Sequence, residues 1–169
     1  MAQPGPPLQP PGRALGDLEA FSVSATVVGP EVAMLVTEGE IVQAMREALG
    51  QGDVFVDEVP EEDSAGGWLH LTLEAYAVEP WVPEDAGQGL RIYPISIELS
   101  AGRSLYLAPE PAAPAVAAQV WTTHVAAWAL EGSVREIACL AVRKALTRFM
   151  NAYRSAALGG GSAEAVRSD

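Results

Sequence analysis

The sequence predicts an α+β fold, a two-layer sandwich in which a mostly antiparallel sheet carries one short and one long C-terminal helix on one face. Three observations support this prediction. Apolar and polar residues alternate in several separate segments, which is typical of strands with one buried face. The later strands are separated by short gaps rich in Gly and Pro, so consecutive strands are expected to pair antiparallel. Two further segments place apolar residues at helical spacing behind a capping signal.

The strand predictions follow the period-two alternation. It is cleanest in segment 68–78, and segment 90–100 repeats it. Pro94 removes a ladder donor from the second of these strands, which predicts an edge position or a bulge, and Gly102-Arg103 predicts a tight turn. The face expected to lie under the helices carries Leu69, Leu71, Leu73, Ile95 and Ile97. The predicted order β-α-β-β-β-(β)-β-α uses the segments 21–27, 38–49, 53–59, 68–78, 90–100, 104–108, 116–129 and 133–155.

Both helices begin with the same signal. Thr37 with Glu40 forms a capping box before the short helix, and Ser133 with Glu136 forms one before the long helix, 133–155. In the long helix the apolar residues occupy one half of the helical wheel, and its centre is mostly alanine. The long helix is therefore expected to pack closely on the sheet.

The outward half of the long helix supplies candidate contacts for a partner. Ile137 and Leu140 are apolar residues on this otherwise polar half. Five of the ten basic residues of the chain lie in this helix, among them Arg143 and Arg148. A solvated helix face is the simpler interpretation of the charge, and binding of a protein partner is the alternative.

The second face of the sheet is the other candidate surface. It is polar, yet it also presents Trp68 and Tyr76, and aromatic residues on an open face indicate a partner or a ligand. The residues predicted to share this face are Trp68, His70, Thr72, Glu74, Tyr76, Ser96 and Glu98.

Catalytic and metal-binding motifs are absent from the sequence. The two histidines, His70 and His124, are too few for a three-histidine zinc site, and neither lies in a known metal spacing. They could meet across the sheet with Glu74 or Glu98 as a partner, which would give a small enzyme or ligand-binding site. The acidic segment 57–63 matches no calcium loop. No catalytic residue, metal or cofactor is therefore predicted.

Composition narrows the class of partner. The chain has 169 residues and a net charge of −12, which argues against nucleic acid. No apolar run reaches the roughly 18 residues that a membrane-spanning helix needs. Peripheral contact of Arg143, Lys144 and Arg148 with an anionic membrane stays open. The one cysteine, Cys139, excludes an internal disulfide and fits a buried structural thiol.

The ends of the chain predict the domain limits. Residues 1–16 are rich in Pro and Gly and are expected to form a flexible, partly polyproline tail. Residues 17–156 are expected to form a single α+β domain, and residues 157–169 a Gly-rich tail. Ala2-Gln3-Pro4 after Met1 is typical of an exported protein after cleavage of its signal peptide, which favours a periplasmic or extracytoplasmic location. A cytoplasmic protein with a Pro-rich arm is the alternative.

One combination of elements resembles a group of bacterial proteins. Thr122-Thr123 lies in a strand near tryptophans, followed by a Gly turn and a terminal helix with Phe149-x-x-x-Tyr153-Arg154. This is similar to small exported bacterial α+β proteins of unknown function, in which the strand reads Thr-Thr-Trp, whereas this chain has His124 at the third position. The resemblance implies an extracytoplasmic α+β domain and no activity.

The function predicted from these features is a non-catalytic binding or assembly module. It would engage another protein through its sheet face or its C-terminal helix. The alternative is a small enzyme or ligand-binding domain with a site around His70, Glu74 and His124.

Overall fold

The computed structural model describes residues 13–16, 18, 20–52, 54–56, 67–79, 91–105 and 116–160. Its strands are β1 (Ala20–Val28), β2 (Phe55–Val56), β3 (Gly67–Ala75), β4 (Ile92–Leu105) and β5 (Val116–Leu130). Its helices are α1 (Arg13–Gly16), α2 (Pro30–Leu35), α3 (Glu38–Gly50) and α4 (Val134–Gly160), with a 3₁₀ turn at Glu131–Ser133. The predicted α+β class is confirmed.

The five strands form one sheet in the order β2-β1-β3-β4-β5. The two longest pairings, β3 with β4 and β4 with β5, are antiparallel, as predicted. β1 instead runs parallel to both β3 and β2. The connection from β1 to these strands passes through α2 and α3, and parallel neighbours need such a crossover.

The core lies between the sheet and the helices. α3 packs against β1, and α4 packs against β4 and β5. The predicted buried face is confirmed, since Leu69, Leu71, Leu73, Ile95 and Ile97 are all buried. Phe149 at the centre of α4 meets Phe21 and Trp121 edge to face, with ring centroids 5.5 and 5.4 Å apart. Edge-to-face packing places the positive ring edge against a negative ring face, so it adds to the gain from burial.

Pro30 begins α2, where its fixed φ suits the first helical turn. One predicted turn is wrong. Gly102-Arg103 does not reverse the chain, because β4 continues through it to Leu105. Gly102 is required for another reason: a Cβ there would lie 2.3 Å from the ring of Trp68.

Two details of the predicted strands also differ. Pro94 lies in the interior strand β4, not at an edge. Val78 and Ile92 exchange two main-chain hydrogen bonds, so the next such pair would need an N–H from Pro94, which has none. The ladder to β3 is interrupted at that point. Of the predicted strand 53–59, only Phe55–Val56 is a strand, and residues 53 and 57–59 lie outside the described part.

Described elements extend past both predicted limits of the domain, residues 17 and 156. Within the predicted tail 1–16, residues Arg13–Gly16 form α1, which packs on α4 and buries Leu15. Tyr153 donates a 2.8 Å hydrogen bond to the carbonyl of Leu18, which ties this N-terminal part to the long helix. α4 also continues beyond residue 156, to Gly160. Residues 1–12 and 161–169 lie outside the described part.

The capping box predicted at Thr37 and Glu40 is confirmed. At the long helix the Ser133 hydroxyl does not form the predicted capping box with Glu136. It donates to the carbonyl of Leu130 and accepts from the Leu130 amide. Ser133 therefore closes the 3₁₀ turn between β5 and α4. Among the described residues, no helix is both long and apolar enough to cross a membrane.

Candidate functional site: the open face of the sheet

The face of the sheet opposite the helices carries most of the predicted site residues. Because side chains alternate along a strand, the residues that neighbour the buried leucines of β3 point to this open face. Register places them in rows across the strands. One row contains Ser24, His70, Ser100 and Thr122, and the next contains Thr26, Thr72, Glu98 and His124.

One end of the open face is apolar. The exposed fraction is 71% for Trp128, 51% for Leu130 and 47% for each of Tyr76 and Val78. Pro94 pairs with Trp128, while Ile92 pairs with both Val78 and Leu130, so these side chains lie in two adjacent rows. We call this surface the apolar patch; it consists of Tyr76, Val78, Ile92, Pro94, Trp128 and Leu130.

Single exposed apolar side chains are common on soluble proteins, whereas a contiguous group is not. The patch is uncharged, and it faces away from the helices that bury the core. A partner that removes these side chains from water would gain about 25 cal/mol of binding free energy per Å² of apolar surface buried.

A cluster of ion pairs fixes the backbone beside the patch. Arg91 lies 3.2 Å from Glu79, 3.7 Å from Glu31 and 3.8 Å from Glu131. Hydrogen bonding to Glu79, followed by bonding to Tyr93 and the charge of Glu131, raises the pKa of Arg91. Glu79 follows β3, Glu31 lies in the first turn of α2, Arg91 precedes β4 and Glu131 follows β5. The cluster thus joins side chains from the four chain segments that meet at this end of the sheet.

The polar half of the open face is a network of hydroxyl, imidazole and carboxylate groups. Ser24 Oγ lies 2.8 Å from Nδ1 of His70. Two strands away, Nδ1 of His124 lies 3.8 Å from Oε2 of Glu98, whose Oε1 accepts a 3.0 Å hydrogen bond from Ser100.

The two histidines do not meet. His70 lies on β3 and His124 on β5, and β4 runs between them. Glu98 contacts His124, whereas Glu74 pairs with Ser96 in another row. Within the described residues, no group of three or more His, Cys, Asp or Glu side chains is arranged to hold a metal ion.

Trp68 and Tyr76 share the open face but not one site. Trp68 covers Gly102 near the start of β3, and its indole Nε1 is buried without a hydrogen-bond partner in the described part of the chain. Tyr76 follows the other end of β3, about 26 Å away at 3.3 Å per residue. Only Tyr76 of this predicted pair belongs to the apolar patch.

The predicted contacts on α4 are also separated. Ile137 is partly buried against the core, while Leu140 is half exposed. Arg148 donates a 2.7 Å hydrogen bond to the carbonyl of His124 at the edge of the sheet. Arg143 is exposed and lines a shallow groove of about 450 Å³ between α3 and α4.

Sequence reasoning missed Trp128 and Leu130, the most exposed members of the patch. The signal was present in the alternation along β5. Trp128 is seven positions from Trp121, an odd number, so the two rings must lie on opposite faces of the strand. Trp121 is the one that packs against Phe149 in the core.

Comparison with known proteins shows a likeness of fold. No protein-family model matches the chain, and no curated protein matches its sequence. A neuraminyllactose-binding haemagglutinin homologue from Helicobacter pylori has a TM-score of 0.52 at 12% identity, over 94% of this chain and 93% of its own. A minor lipoprotein from Acinetobacter baumannii has a TM-score of 0.45 at 5% identity, over 83% of this chain and 94% of its own. The rare lipoprotein B from Shewanella oneidensis has a TM-score of 0.41 at 12% identity, over 84% of this chain and 96% of its own. At these identities the chain shares the fold of the Helicobacter protein, and the likeness carries no residue or activity across.

Proposed function

We propose that this protein is a non-catalytic binding or assembly module that engages another protein through the apolar patch. The observation that carries the proposal is the exposure of Trp128, Leu130, Tyr76 and Val78 together, in adjacent rows at one end of the open face. Tyr and Trp are enriched where protein interfaces are most strongly bound, because they bury a large area at a small cost in side-chain entropy.

The second candidate, a catalytic or ligand site around His70, Glu74 and His124, has weaker support. It requires the two imidazoles to act on one ligand, and β4 separates them. The helix surface around Leu140 and Arg143 is a further candidate for contact, but it presents one half-exposed apolar residue rather than a group.

We also propose an extracytoplasmic location in a bacterial envelope. The shared fold of a Helicobacter protein described as a neuraminyllactose-binding haemagglutinin homologue supports it. Cell fractionation checks this proposal independently of binding. Recovery of the native protein in the cytoplasmic fraction alone would contradict it.

The binding proposal is tested in the native host by replacing Trp128 with an aromatic photo-crosslinking amino acid, which keeps a ring at this position of the patch. A matched control carries it at position 158, where Leu158 is 82% exposed on α4 and lies away from the sheet. We expect a discrete protein adduct from position 128 and none from position 158. Leu130→Ser should abolish that adduct because it removes apolar surface beside the probe, whereas Leu140→Ser on the helix should preserve it.

Two outcomes would contradict the proposal. One is an absence of adduct at position 128 under conditions in which the probe is shown to react. The other is equal labelling from positions 128 and 158, because that would indicate random collision rather than a binding surface.

A further inference from the structure

In the apolar patch two exposed aromatic residues, Tyr76 and Trp128, flank Pro94. We call the surface between these two side chains the slot. Tyr76 and Trp128 lie on either side of β4, so two strand spacings, about 10 Å, separate their backbones. Pro94 lies between them on β4 and pairs with Trp128. A pyrrolidine ring in contact with an aromatic face on each side needs about 7–8 Å between those faces, at ordinary carbon–carbon contact distances. The backbone spacing therefore leaves room for a second proline side chain above Pro94, between the two aromatic residues.

Proline-rich segments are the ligands that suit such a slot. A polyproline II helix keeps its conformation before binding, so it loses little entropy when its prolines dock on aromatic side chains. The chain contains such a segment in residues 4–11, PGPPLQPP, in which five of eight residues are proline. The segment carries no charged side chain, like the patch itself.

The slot lies beyond the reach of the segment in the same molecule. Residues 4–11 end next to α1, and Gly16 of α1 touches the backbone of Ala156 on α4. The slot lies near Val134, at the other end of α4, and 22 residues of helix span about 33 Å. Nine residues, from Pro4 to Arg13, span at most about 30–32 Å when fully extended, and they would also have to pass from the helix layer to the opposite face of the sheet.

Charge at the rim favours a second copy of the chain. Glu79 and Glu131 beside the patch are exposed by 70% and 67%. Arg13 follows the proline-rich segment directly, so a docked segment from another copy brings one positive charge to an acidic rim.

We infer that residues 4–11 of one copy bind the slot between Tyr76 and Trp128 of a second copy. The inference rests on the proposed function and names the partner. The segment precedes α1, which packs near the C-terminal end of α4, whereas the slot lies near the start of α4. The contact is therefore head to tail, and each bound pair leaves one free slot and one free segment. The full chain is therefore expected to form assemblies that grow with concentration.

Mixing two full-length variants tests this inference. Trp128→Ala damages the slot and keeps the segment. A second variant, with Pro6→Ser, Pro7→Ser, Pro10→Ser and Pro11→Ser, keeps the slot and damages the segment. Each alone is expected to be monomeric by light scattering after size-exclusion chromatography. Mixed in equal amounts, they should form a 1:1 dimer and nothing larger, because only one productive contact remains.

The outcomes separate this inference from the proposed function. A monomeric wild-type chain at the highest soluble concentration, or a mixture of variants that stays monomeric, overturns the inference. If position 128 nevertheless crosslinks to a different protein, the proposed function stands. Leu158→Ala is the matched control, since it removes an exposed apolar side chain outside the patch and should assemble as the wild type does. Circular dichroism of each variant confirms that the fold is intact.

Discussion

Arg148 of α4 donates a 2.7 Å hydrogen bond to the main-chain carbonyl of His124 on β5. β5 is an outer strand of the described sheet, and alternate residues of an outer strand point their main-chain groups away from the neighbouring strand. The Leu130 amide and carbonyl are bonded in the same way by Ser133. Unpaired groups on an edge strand attract strands of other chains, and covering them with a charged side chain is one protection against aggregation.

Arg148→Met should therefore destabilise the domain and expose its edge. The loss of a hydrogen bond to a main-chain carbonyl predicts a decrease of about 0.5–1.5 kcal/mol in the free energy of unfolding. Urea titration measures this decrease, and light scattering on warming should show earlier aggregation. Arg143→Met is the matched control, because Arg143 is on the same helix and its guanidinium makes no hydrogen bond or ion pair with the described residues; the Thr147 side chain bonds only its main-chain carbonyl. Equal effects of the two variants would contradict a specific role for Arg148.

Phe149→Ala should have the largest effect of any single change on α4. The ring is fully buried, meets Phe21 and Trp121 edge to face and stacks on Tyr153, so its removal leaves a cavity that three other rings line. The expected loss is about 3–5 kcal/mol in the free energy of unfolding. Leu158→Ala, on the same helix but exposed, should change that free energy by less than about 0.5 kcal/mol. A small effect of Phe149→Ala would mean that α4 is not held by this cluster.

The sequence was sufficient for the layers of this fold because burial follows local periodicity. The leucines of β3 and the alanine-centred face of α4 each repeat at the spacing of their element, and both are buried. Strand partners are not local information. The parallel pairing of β1 with β3 depends on which edge the crossover through α3 can reach, and no residue of β1 encodes that choice.

The candidate site was predicted only in part for a related reason. The aromatic residue Tyr76 was assigned to the open face by alternation, but its neighbours Trp128 and Leu130 come from a strand 50 residues later. They join Tyr76 only through the register of β4 with β5. Gly102 also could not be interpreted from the local sequence. The pair Gly102-Arg103 is typical of a turn, whereas the glycine is required because the ring of Trp68 lies over it.

Gly29→Ala should destabilise the connection from β1 to α2. Gly29 has φ = +118°, a conformation that side chains disfavour, and a Cβ there would lie 2.0 Å from the carbonyl oxygen of Ala75. Because the obstructing atom belongs to the backbone, we expect the free energy of unfolding to fall by about 1–3 kcal/mol. Gly39→Ala is a control of opposite sign: it lies in α3 with nothing within 4 Å of its Cβ, and it should stabilise by about 0.5–1 kcal/mol. Thermal unfolding of the two variants beside the wild type measures both.

The start of α3 makes the stability depend on pH. The Glu40 carboxylate accepts a 2.9 Å hydrogen bond from the Thr37 amide and a 3.0 Å bond from its hydroxyl, and it also pairs with Arg135. The amide bond, then the hydroxyl and then Arg135 lower the pKa of Glu40 below its ordinary value. The unfolded chain therefore binds this proton more readily than the folded one. The stabilisation is present above the ordinary glutamate pKa, about 4.3, and is lost as the pH falls through the lower folded pKa.

Glu40→Gln should remove this contribution and leave the capping geometry, because glutamine can also occupy this position of a capping box. We expect the free energy of unfolding of the wild type to fall more steeply than that of Glu40→Gln as the pH is lowered from about 5 toward 3. Guanidinium titrations at a series of pH values measure both slopes. Glu136→Gln, at an exposed carboxylate on α4, should retain the wild-type slope. Parallel curves for the wild type and Glu40→Gln across this range would show that Thr37 and Arg135 do not hold the carboxylate in the folded state.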